Sequence, residues 1–213
     1  MRNKGSPLPG MIDEEVLYAG GFEYIAGVDE VGRGALAGPV VAAAVILPKN
    51  LAYYIQNGVR DSKKLNAARR EVLFELIKST AIGVGIGIMP HHVIDEINIL
   101  NATRRAMRRA IAQLSRVPDY VLVDGMPIPR LKIAQKGIIK GDCTCISIAS
   151  ASIIAKVTRD RMMQELDITY PDYGFRNHKG YGTRQHLLCL SRLGPTPVHR
   201  YSFAPVRNIF RII

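Results

Sequence analysis

One apolar segment, VVAAAVIL at residues 40–47, limits the folds that this chain can adopt. It lies between Pro39 and Pro48 and is much shorter than the roughly 20 residues of a membrane-spanning helix. A short apolar run of this kind is typical of a buried strand. We therefore expect a folded core and no membrane partner. Because the N-terminal residues MRNKGSPLPGMIDEE lack the apolar region of a signal peptide, we expect a cytoplasmic protein.

Similar strand-like runs alternate with helical patterns along the chain. Strands are expected at 23–29, 40–47, 81–88 and 120–124, and helices at 66–79, 101–115, 144–167 and 183–193. This order is typical of a layered α/β fold with antiparallel pairing among the first strands. Residues 1–20 are expected to form a short leader, loose or with one helix, and residues 21–213 a single domain. The segment after residue 195 is expected to be irregular.

The charge balance favours a polyanionic partner. Lysine and arginine number 29 against 18 acidic residues, which gives a net charge of +11. Such an excess on a folded domain points first to nucleic acid, although a basic surface can also serve solubility alone. The three cysteines fit neither a disulfide framework nor a zinc ribbon, so we expect reduced thiols.

Four carboxylates are expected where strands end or helices begin, which is where functional crevices form in α/β folds. They are Asp29, Glu30, Asp124 and Asp142. Taken singly, Asp124 is also typical of a turn and Asp142 of a helix N-cap. Asp29 and Glu30 are harder to explain that way, because adjacent acids at the end of a core strand repel each other unless a cation is near. Since neighbouring strand residues point to opposite faces, they can share a site only if the strand ends or bulges there.

Carboxylates without histidine or cysteine neighbours favour hard cations, Mg²⁺ or Mn²⁺, over zinc. In a basic protein, such a site is what two-metal cleavage of a phosphodiester requires. Glycoside hydrolysis is less consistent with a chain that has no tryptophan to stack on sugars. The adjoining Gly32, Arg33 and Gly34 would let a nucleic-acid backbone approach the bare main chain, although most such tripeptides are plain turns.

Seven blocks of sequence occur in chain order: VDEVGRGALAGPVVAAAV (28–45), DSKKL (61–65), LVDG (122–125), GD (141–142), SIASASIIAKVTRDR (147–161), YGFRNHKGYGT (173–183) and HRYSFAPV (199–206). Together they closely resemble the bacterial ribonuclease HII family, from about residue 23 to residue 206. The resemblance implies a ribonuclease H-like mixed sheet flanked by helices, with a small helical C-terminal part. It also implies metal-dependent cleavage of RNA paired with DNA, and cleavage 5′ of single ribonucleotides embedded in duplex DNA, leaving a 3′-hydroxyl and a 5′-phosphate.

The resemblance also implies roles for individual residues. Asp29, Glu30, Asp124 and Asp142 would be the catalytic carboxylates that bind Mn²⁺ or Mg²⁺. Gly32, Arg33 and Gly34 would sense the ribose 2′-hydroxyl, and Tyr181 would pack against the next sugar. Further substrate contacts are expected from Ser62, Lys63 and Lys156, with a solvated charged segment as the alternative for residues 62–64. The partners would be RNA–DNA hybrids and ribonucleotide-containing duplex DNA, bound by a monomer.

Some alternatives stay open from the residues alone. A non-catalytic nucleic-acid-binding protein would explain the charge but has no use for four carboxylates at element ends. A phosphatase acting on small substrates would not need so basic a surface. His178 is either an aid to proton transfer or a structural loop residue. The arginines at 104–109 either line a duplex or form a solvated helix face, which we favour.

Overall fold

The computed structural model describes residues 9–209, so residues 1–8 of the expected leader and residues 210–213 lie outside the described residues. The chain forms one five-stranded mixed sheet with the order β3-β2-β1-β4-β5. Its strands are β1 (Ile25–Val31), β2 (Val40–Ile46), β3 (Gly83–Met89), β4 (Tyr120–Asp124) and β5 (Ala134–Ile138). Strand β2 pairs antiparallel with β1 and β3, whereas β4 pairs parallel with β1 and β5. This confirms the predicted mixed sheet with antiparallel early strands.

Strand β5 was not predicted from the sequence. Its residues, AQKGI, include no run of β-branched side chains, and the strand lies at the edge of the sheet, where little of it is buried. Pairing with β4 therefore determines its conformation more than its own β propensity does.

Each of the four predicted helices is present with shifted ends, and several short helices were not predicted. They are α1 (Ile12–Ala19), α2 (Ala52–Gln56), α3 (Ala67–Thr80), α4 (His91–Ala112), α5 (Gly141–Thr144), α6 (Ile146–Thr169), α7 (Phe175–His178), α8 (Arg184–Leu193) and α9 (Ala204–Ile209). The largest shift is in α4, which begins at His91 and not at residue 101. Its kink at Asn98, where φ is 63°, separates two helical stretches, of which the sequence pattern identified only the second. None of the helices within residues 9–209 is long and apolar enough to span a bilayer.

Helices α4 and α6 cover opposite faces of the sheet. Along β2, Val41, Ala43 and Val45 pack with α3 and α6 in one cluster, whereas Ala42 and Ala44 pack with α4 in the other. Two glycines allow these helices to lie very close. A Cβ at Gly27 would lie 2.1 Å from the backbone of Ser147, and one at Gly87 would lie 1.9 Å from the carbonyl oxygen of Ala106. The close contact with α6 brings the middle of that helix beside the end of β1.

The two ends of the described chain both pack against the rest of the domain. In α1, Glu14 is buried, and its Oε1 accepts hydrogen bonds from the backbone N–H (3.0 Å) and the hydroxyl (2.7 Å) of Ser147. At the other end, α7 to α9 enclose a cluster that includes Leu36, Phe175 and Val206. The expectation of an irregular segment after residue 195 was wrong for α9, which packs through Val206.

Candidate active site

Asp29 and Glu30 lie within β1, which continues to Val31 in regular register with β2. The expectation that the strand ends or bulges at these residues was therefore wrong. Regular alternation directs Asp29 towards α6, whose Ser152 borders the same cavity, and Glu30 towards the α4 face. Both still border one cavity of about 300 Å³ at the end of the strand. Asp29 and Glu30 therefore reach one cavity from opposite faces of a regular strand, one or two residues before it ends.

Asp124 and Asp142 reach the same region from β4 and α5. The parallel register pairs Val28 with Val123, one residue before Asp29 and Asp124, so the ends of both strands meet at one edge. Asp124 accepts a hydrogen bond from the backbone N–H of Gly141 at 2.7 Å, which fixes it to the start of α5. The four predicted carboxylates are therefore supplied by three elements that meet at this edge of the sheet.

The carboxylates raise one another's pKa values. Burial, Glu30 and Asp124 raise the pKa of Asp29 well above its usual value. Burial raises the pKa of Glu30, and the Arg33 guanidinium offsets only part of this effect. Burial and Asp142 raise the pKa of Asp124. Such a group of acids has an excess of negative charge that a bound cation would relieve.

Lys63 supplies one positive charge to this cluster. Its Nζ lies 2.9 Å from Asp142 Oδ2. Burial opposes the charged form, but the contact with Asp142 raises the pKa of Lys63. The lysine side chain is 74% exposed, so it can move aside when another cation binds Asp142.

Asp61 is a functional candidate that sequence reasoning missed, although it opens the DSKKL block. Among residues 9–209, the ligand-type side chains gathered within 4.8 Å of one another are Asp61, Asp142 and Cys143. Burial and Asp142 raise the pKa of the Cys143 thiol, which disfavours the thiolate that a metal would bind. The oxygen donors of this region therefore fit a hard divalent cation, with Asp61 close enough to assist Asp142.

The loop Gly32–Gly34 rests on two fully buried arginines. Arg200 donates hydrogen bonds to the carbonyl oxygens of Gly32 (2.7 Å), Arg33 (2.8 Å) and Gly38 (3.0 Å). Arg159 donates to the carbonyl oxygens of Ala37 (3.2 Å), Pro39 (2.9 Å) and Lys179 (2.9 Å). Within the part of the chain that the structure describes, neither guanidinium forms an ion pair with a carboxylate. The hydrogen bonds of Arg200 therefore hold the loop in one conformation, and those of Arg159 hold residues 37–39 that follow it.

The two glycines of this loop have different surroundings. Gly32 has a φ of +91°, and a Cβ there would lie 2.2 Å from Arg159 Nε, so only glycine fits. A Cβ at Gly34 would meet no atom within 4 Å. Gly34 therefore leaves open space above the loop, which a ligand can enter.

Tyr181 lies beside the same loop and borders the same cavity as Asp29, Glu30 and Lys156. Its ring centroid is 5.4 Å from the guanidinium carbon of Arg159. The backbone of Ala35 bridges to Tyr181, and the N–H of Leu36 donates to the carbonyl oxygen of Gly180 at 2.7 Å. The glycine loop and the tyrosine turn are thus joined into one rigid surface.

A chain of buried histidines supports the tyrosine turn. His199 Nδ1 accepts from the backbone N–H of Thr196 (2.9 Å), and its Nε2 lies 2.9 Å from Nε2 of His186. Nδ1 of His186 lies 3.0 Å from the carbonyl oxygen of Tyr181. All of these hydrogen bonds can form together only when both rings are neutral. His199 then donates to His186, and His186 donates to the carbonyl oxygen of Tyr181. His178 also uses both ring nitrogens, on Tyr173 and Gly180, which is a structural role.

The other predicted contact residues border the cavity but have partners within the protein. Ser62 is buried, and its hydroxyl lies 2.8 Å from that of Ser152. Lys156 pairs with Asp160 at 2.8 Å. Ser62 is therefore placed to support the cavity wall, whereas Lys63 and Lys156 present their ammonium groups near its rim. Arg159, which follows Lys156 by one helical turn, points instead into the protein.

Comparisons with known proteins identify the family and the fold. The family model described as Ribonuclease HII matches residues 26–206. A ribonuclease HII from Listeria innocua is 56% identical over 195 residues, which cover 92% of this chain and 73% of the relative. Two solved structures share the fold. They are ribonuclease H2 from Pyrococcus horikoshii (TM-score 0.75, 27% identity, 89% of this chain and 98% of that one) and Bst-RNase HIII in complex with Mn²⁺ (TM-score 0.61, 18% identity, 89% and 70%).

Proposed function

Because the chain belongs to the ribonuclease HII family and is thus a type 2 ribonuclease H that cleaves the RNA of RNA–DNA hybrids, we propose that it also cuts 5′ of single ribonucleotides in duplex DNA. The products would carry a 3′-hydroxyl and a 5′-phosphate. We further propose that it works as a cytoplasmic monomer in the removal of ribonucleotides from replicated DNA, since one chain supplies all four proposed catalytic carboxylates.

One observation carries this proposal. The carboxylates of Asp29 and Glu30 border the same cavity as Tyr181, Lys63 and Lys156, and the bridge from Ala35 to Tyr181 joins the glycine loop to this cavity wall. A phosphodiester held at the carboxylates would therefore have its sugar within reach of the glycine loop. This arrangement couples recognition of a sugar to cleavage of the bond beside it.

Asp29, Glu30, Asp124 and Asp142 would hold two divalent cations, Mn²⁺ or Mg²⁺. The fit rests on their oxygen-only donor set and on the raised pKa values of the first three, which indicate a deficit of positive charge. Bound Mn²⁺ or Mg²⁺ would supply activation of water and neutralisation of the leaving oxygen. Bst-RNase HIII, which shares the fold, binds Mn²⁺.

The chain's own groups would select the ribonucleotide. Backbone groups of Gly32 and Gly34, in the loop whose Gly32 and Arg33 carbonyl oxygens accept from Arg200, would hydrogen-bond the 2′-hydroxyl, the one group that distinguishes a ribonucleotide from its deoxy counterpart. The ring of Tyr181 would pack against the sugar on the 3′ side. Lys63 and Lys156 would contact phosphates, and the exposed Arg33 would do so after leaving Glu30, to which it is now paired at 3.2 Å.

The direct test is a cleavage assay on a duplex with a single embedded ribonucleotide, run with Mn²⁺ and with Mg²⁺ beside all-DNA, all-RNA and RNA–DNA hybrid duplexes. We expect a single cut on the 5′ side of the ribonucleotide and none in all-DNA. Cleavage of the hybrid alone would reject the embedded-ribonucleotide activity. Binding without cleavage of any duplex would instead indicate a non-catalytic nucleic-acid-binding protein.

A further inference from the structure

We propose that Arg104, Arg108 and Arg130 form a binding site for the phosphodiester backbone of the substrate duplex, on the α4 side of the carboxylates. We call this surface the arginine groove. The inference rests on the proposed function for the identity of the duplex, but its geometry stands separately. It assigns a role to part of the arginine cluster that the sequence pattern favours as a solvated face.

Two adjoining cavities form the groove. The first, of about 580 Å³, is bordered by Glu30 and Asp124 at the candidate active site and extends to Arg104 and Arg130. The second, of about 530 Å³, is lined by Asn101, Arg104, Arg108, Pro129 and Arg130. Because Arg104 and Arg130 line both, the two cavities make one continuous path that leads away from the carboxylates.

The guanidinium groups of the groove carry positive charge that is available to a bound anion. In residues 9–209, none of the three forms an ion pair with a carboxylate, whereas Lys63, Lys156 and other cations near the site do. Arg108 donates one long hydrogen bond, at 3.4 Å, to the carbonyl oxygen of Pro129. Unpaired guanidinium groups that face one channel attract phosphates and can bind them with two hydrogen bonds each.

Helix α4 directs only some of its arginines into the groove. Ala102, Ala106 and Ala110 pack on the sheet, which leaves the arginines on the outer faces of the helix. Arg104 and Arg108 are one turn apart, or roughly 6 Å along the axis. Arg105 and Arg109 have the same spacing and are exposed, but they do not line either cavity.

The opposite wall of the groove is fixed by the loop between β4 and β5. The side chain of Gln135 bonds both the N–H (2.7 Å) and the carbonyl oxygen (2.8 Å) of Ile128, which holds the loop that carries Arg130. Exposed apolar side chains of Leu100 and Met126 line the first cavity between the arginines and the carboxylates. Phosphate contacts from both walls with an apolar floor suit a sugar-phosphate backbone better than a small anion.

The test compares two double variants of one helix. Arg104→Gln with Arg108→Gln changes the groove, and Arg105→Gln with Arg109→Gln removes the same charge outside it. The measurement is the Kd of each protein for a duplex with one embedded ribonucleotide, without divalent ions, over a series of salt concentrations. We expect the groove variant to bind about tenfold or more weakly, with a salt slope smaller by about 1 to 2, and the control variant to change by less than about threefold.

A third variant tests the groove independently, in case the first double variant does not fold. Arg130→Gly removes a groove arginine at a residue whose φ of 62° glycine accepts without strain, so this variant should fold normally. It should also weaken duplex binding, and it should raise KM for cleavage while leaving kcat close to that of the original protein.

The outcomes separate the two proposals. Equal losses in the groove and control variants would overturn the arginine groove, because charge alone would then explain binding. Cleavage of the embedded ribonucleotide together with unchanged binding by the groove variants would also overturn it, while leaving the proposed function intact. Conversely, selective loss of duplex binding in a protein that cleaves nothing would support the groove and reject the embedded-ribonucleotide activity.

Discussion

The carboxylate edge of the sheet and the glycine loop beside it use charge in opposite ways. At the edge, Asp29, Glu30 and Asp124 are crowded and their pKa values are raised, so the charges are not balanced within the protein. Under the loop, Arg159 and Arg200 are buried with all their charge directed at backbone carbonyls. The first region therefore favours the binding of a cation, whereas the second holds the backbone of the glycine loop in a fixed conformation.

Because of this difference, substitutions in the first region should affect cation binding, and substitutions in the second should affect the stability of the fold. A buried carboxylate that lacks a cation destabilises the fold, so its removal should harm function more than folding. A buried guanidinium that bonds several carbonyls stabilises the fold, and its removal leaves those oxygens without partners. Burial and the neighbouring Arg159 lower the pKa of Arg200 to about 9, but the group stays charged at neutral pH.

Asp29→Asn should produce the largest functional effect. We expect cleavage to fall by at least about a thousandfold, because the variant loses a ligand for divalent cations. The free energy of unfolding without metal should stay equal or increase, since the amide removes a repelled charge. Rate assays and chemical denaturation measure the two quantities. A variant that cleaves at the original rate, or that unfolds much more easily, would break the contrast between the two regions.

Arg200→Lys should show the reverse pattern. Lysine keeps the charge but not the planar set of donors that reaches Gly32, Arg33 and Gly38, so we expect a loss of roughly 2–4 kcal/mol in the free energy of unfolding. The preference for a ribonucleotide should fall as well. Arg176→Lys, at a side chain 63% exposed, is the matched control and should change stability by less than about 0.5 kcal/mol. Equal effects of the two substitutions would contradict the role of Arg200.

The buried histidines that support the tyrosine turn make the stability of the protein depend on pH. Burial lowers the pKa of both His186 and His199 to about 4. The unfolded chain takes up protons near pH 6.5, whereas the native rings resist them, so stability should fall as pH decreases from about 6.5 to 4. The loss is on the order of 2–3 kcal/mol for one ring.

The carboxylates with raised pKa values have the opposite effect on protein stability. They bind protons more readily in the folded protein than in the unfolded chain, so their contribution to stability decreases as pH rises. The useful measurement is therefore the difference between the original protein and His186→Phe in denaturation at pH 7 and at pH 5. We expect the original protein to lose more stability on acidification than the variant does. Parallel pH profiles would show that His186 does not titrate as proposed.

Gly34→Ala should give the smallest effect and the most selective one. The added methyl meets no protein atom within 4 Å, so stability should not change, but it occupies the space above the loop. We expect cleavage at an embedded ribonucleotide to fall about tenfold, or about 1.4 kcal/mol. Gly32→Ala is the comparison variant, and it should destabilise the fold by displacing Arg159. Full activity of Gly34→Ala would mean that substrate does not enter this space.

The sequence predicted the four core strands, the mixed sheet and the family because short apolar runs and the seven motifs are local signals. It did not predict β5 or the first part of α4, where tertiary pairing and a kink override local preference. The candidate carboxylates could be found because they lie at element ends or within two residues of them. Arg200 and Arg159 could not be given their role, since a buried arginine that bonds carbonyls has the same sequence signal as an exposed one. Arg130 lies in a loop with no pattern at all.

The most direct test of the central claim is thermal unfolding of the protein and of Asp29→Asn over a series of Mn²⁺ concentrations. If the carboxylate edge is a cation site, Mn²⁺ should stabilise the original protein, by about 2.7 kcal/mol at a hundred times its Kd. The Asp29→Asn protein should respond much less at the same concentrations, although it starts equally or more stable. An equal rise of Tm in both proteins would place the bound ion elsewhere and contradict the account.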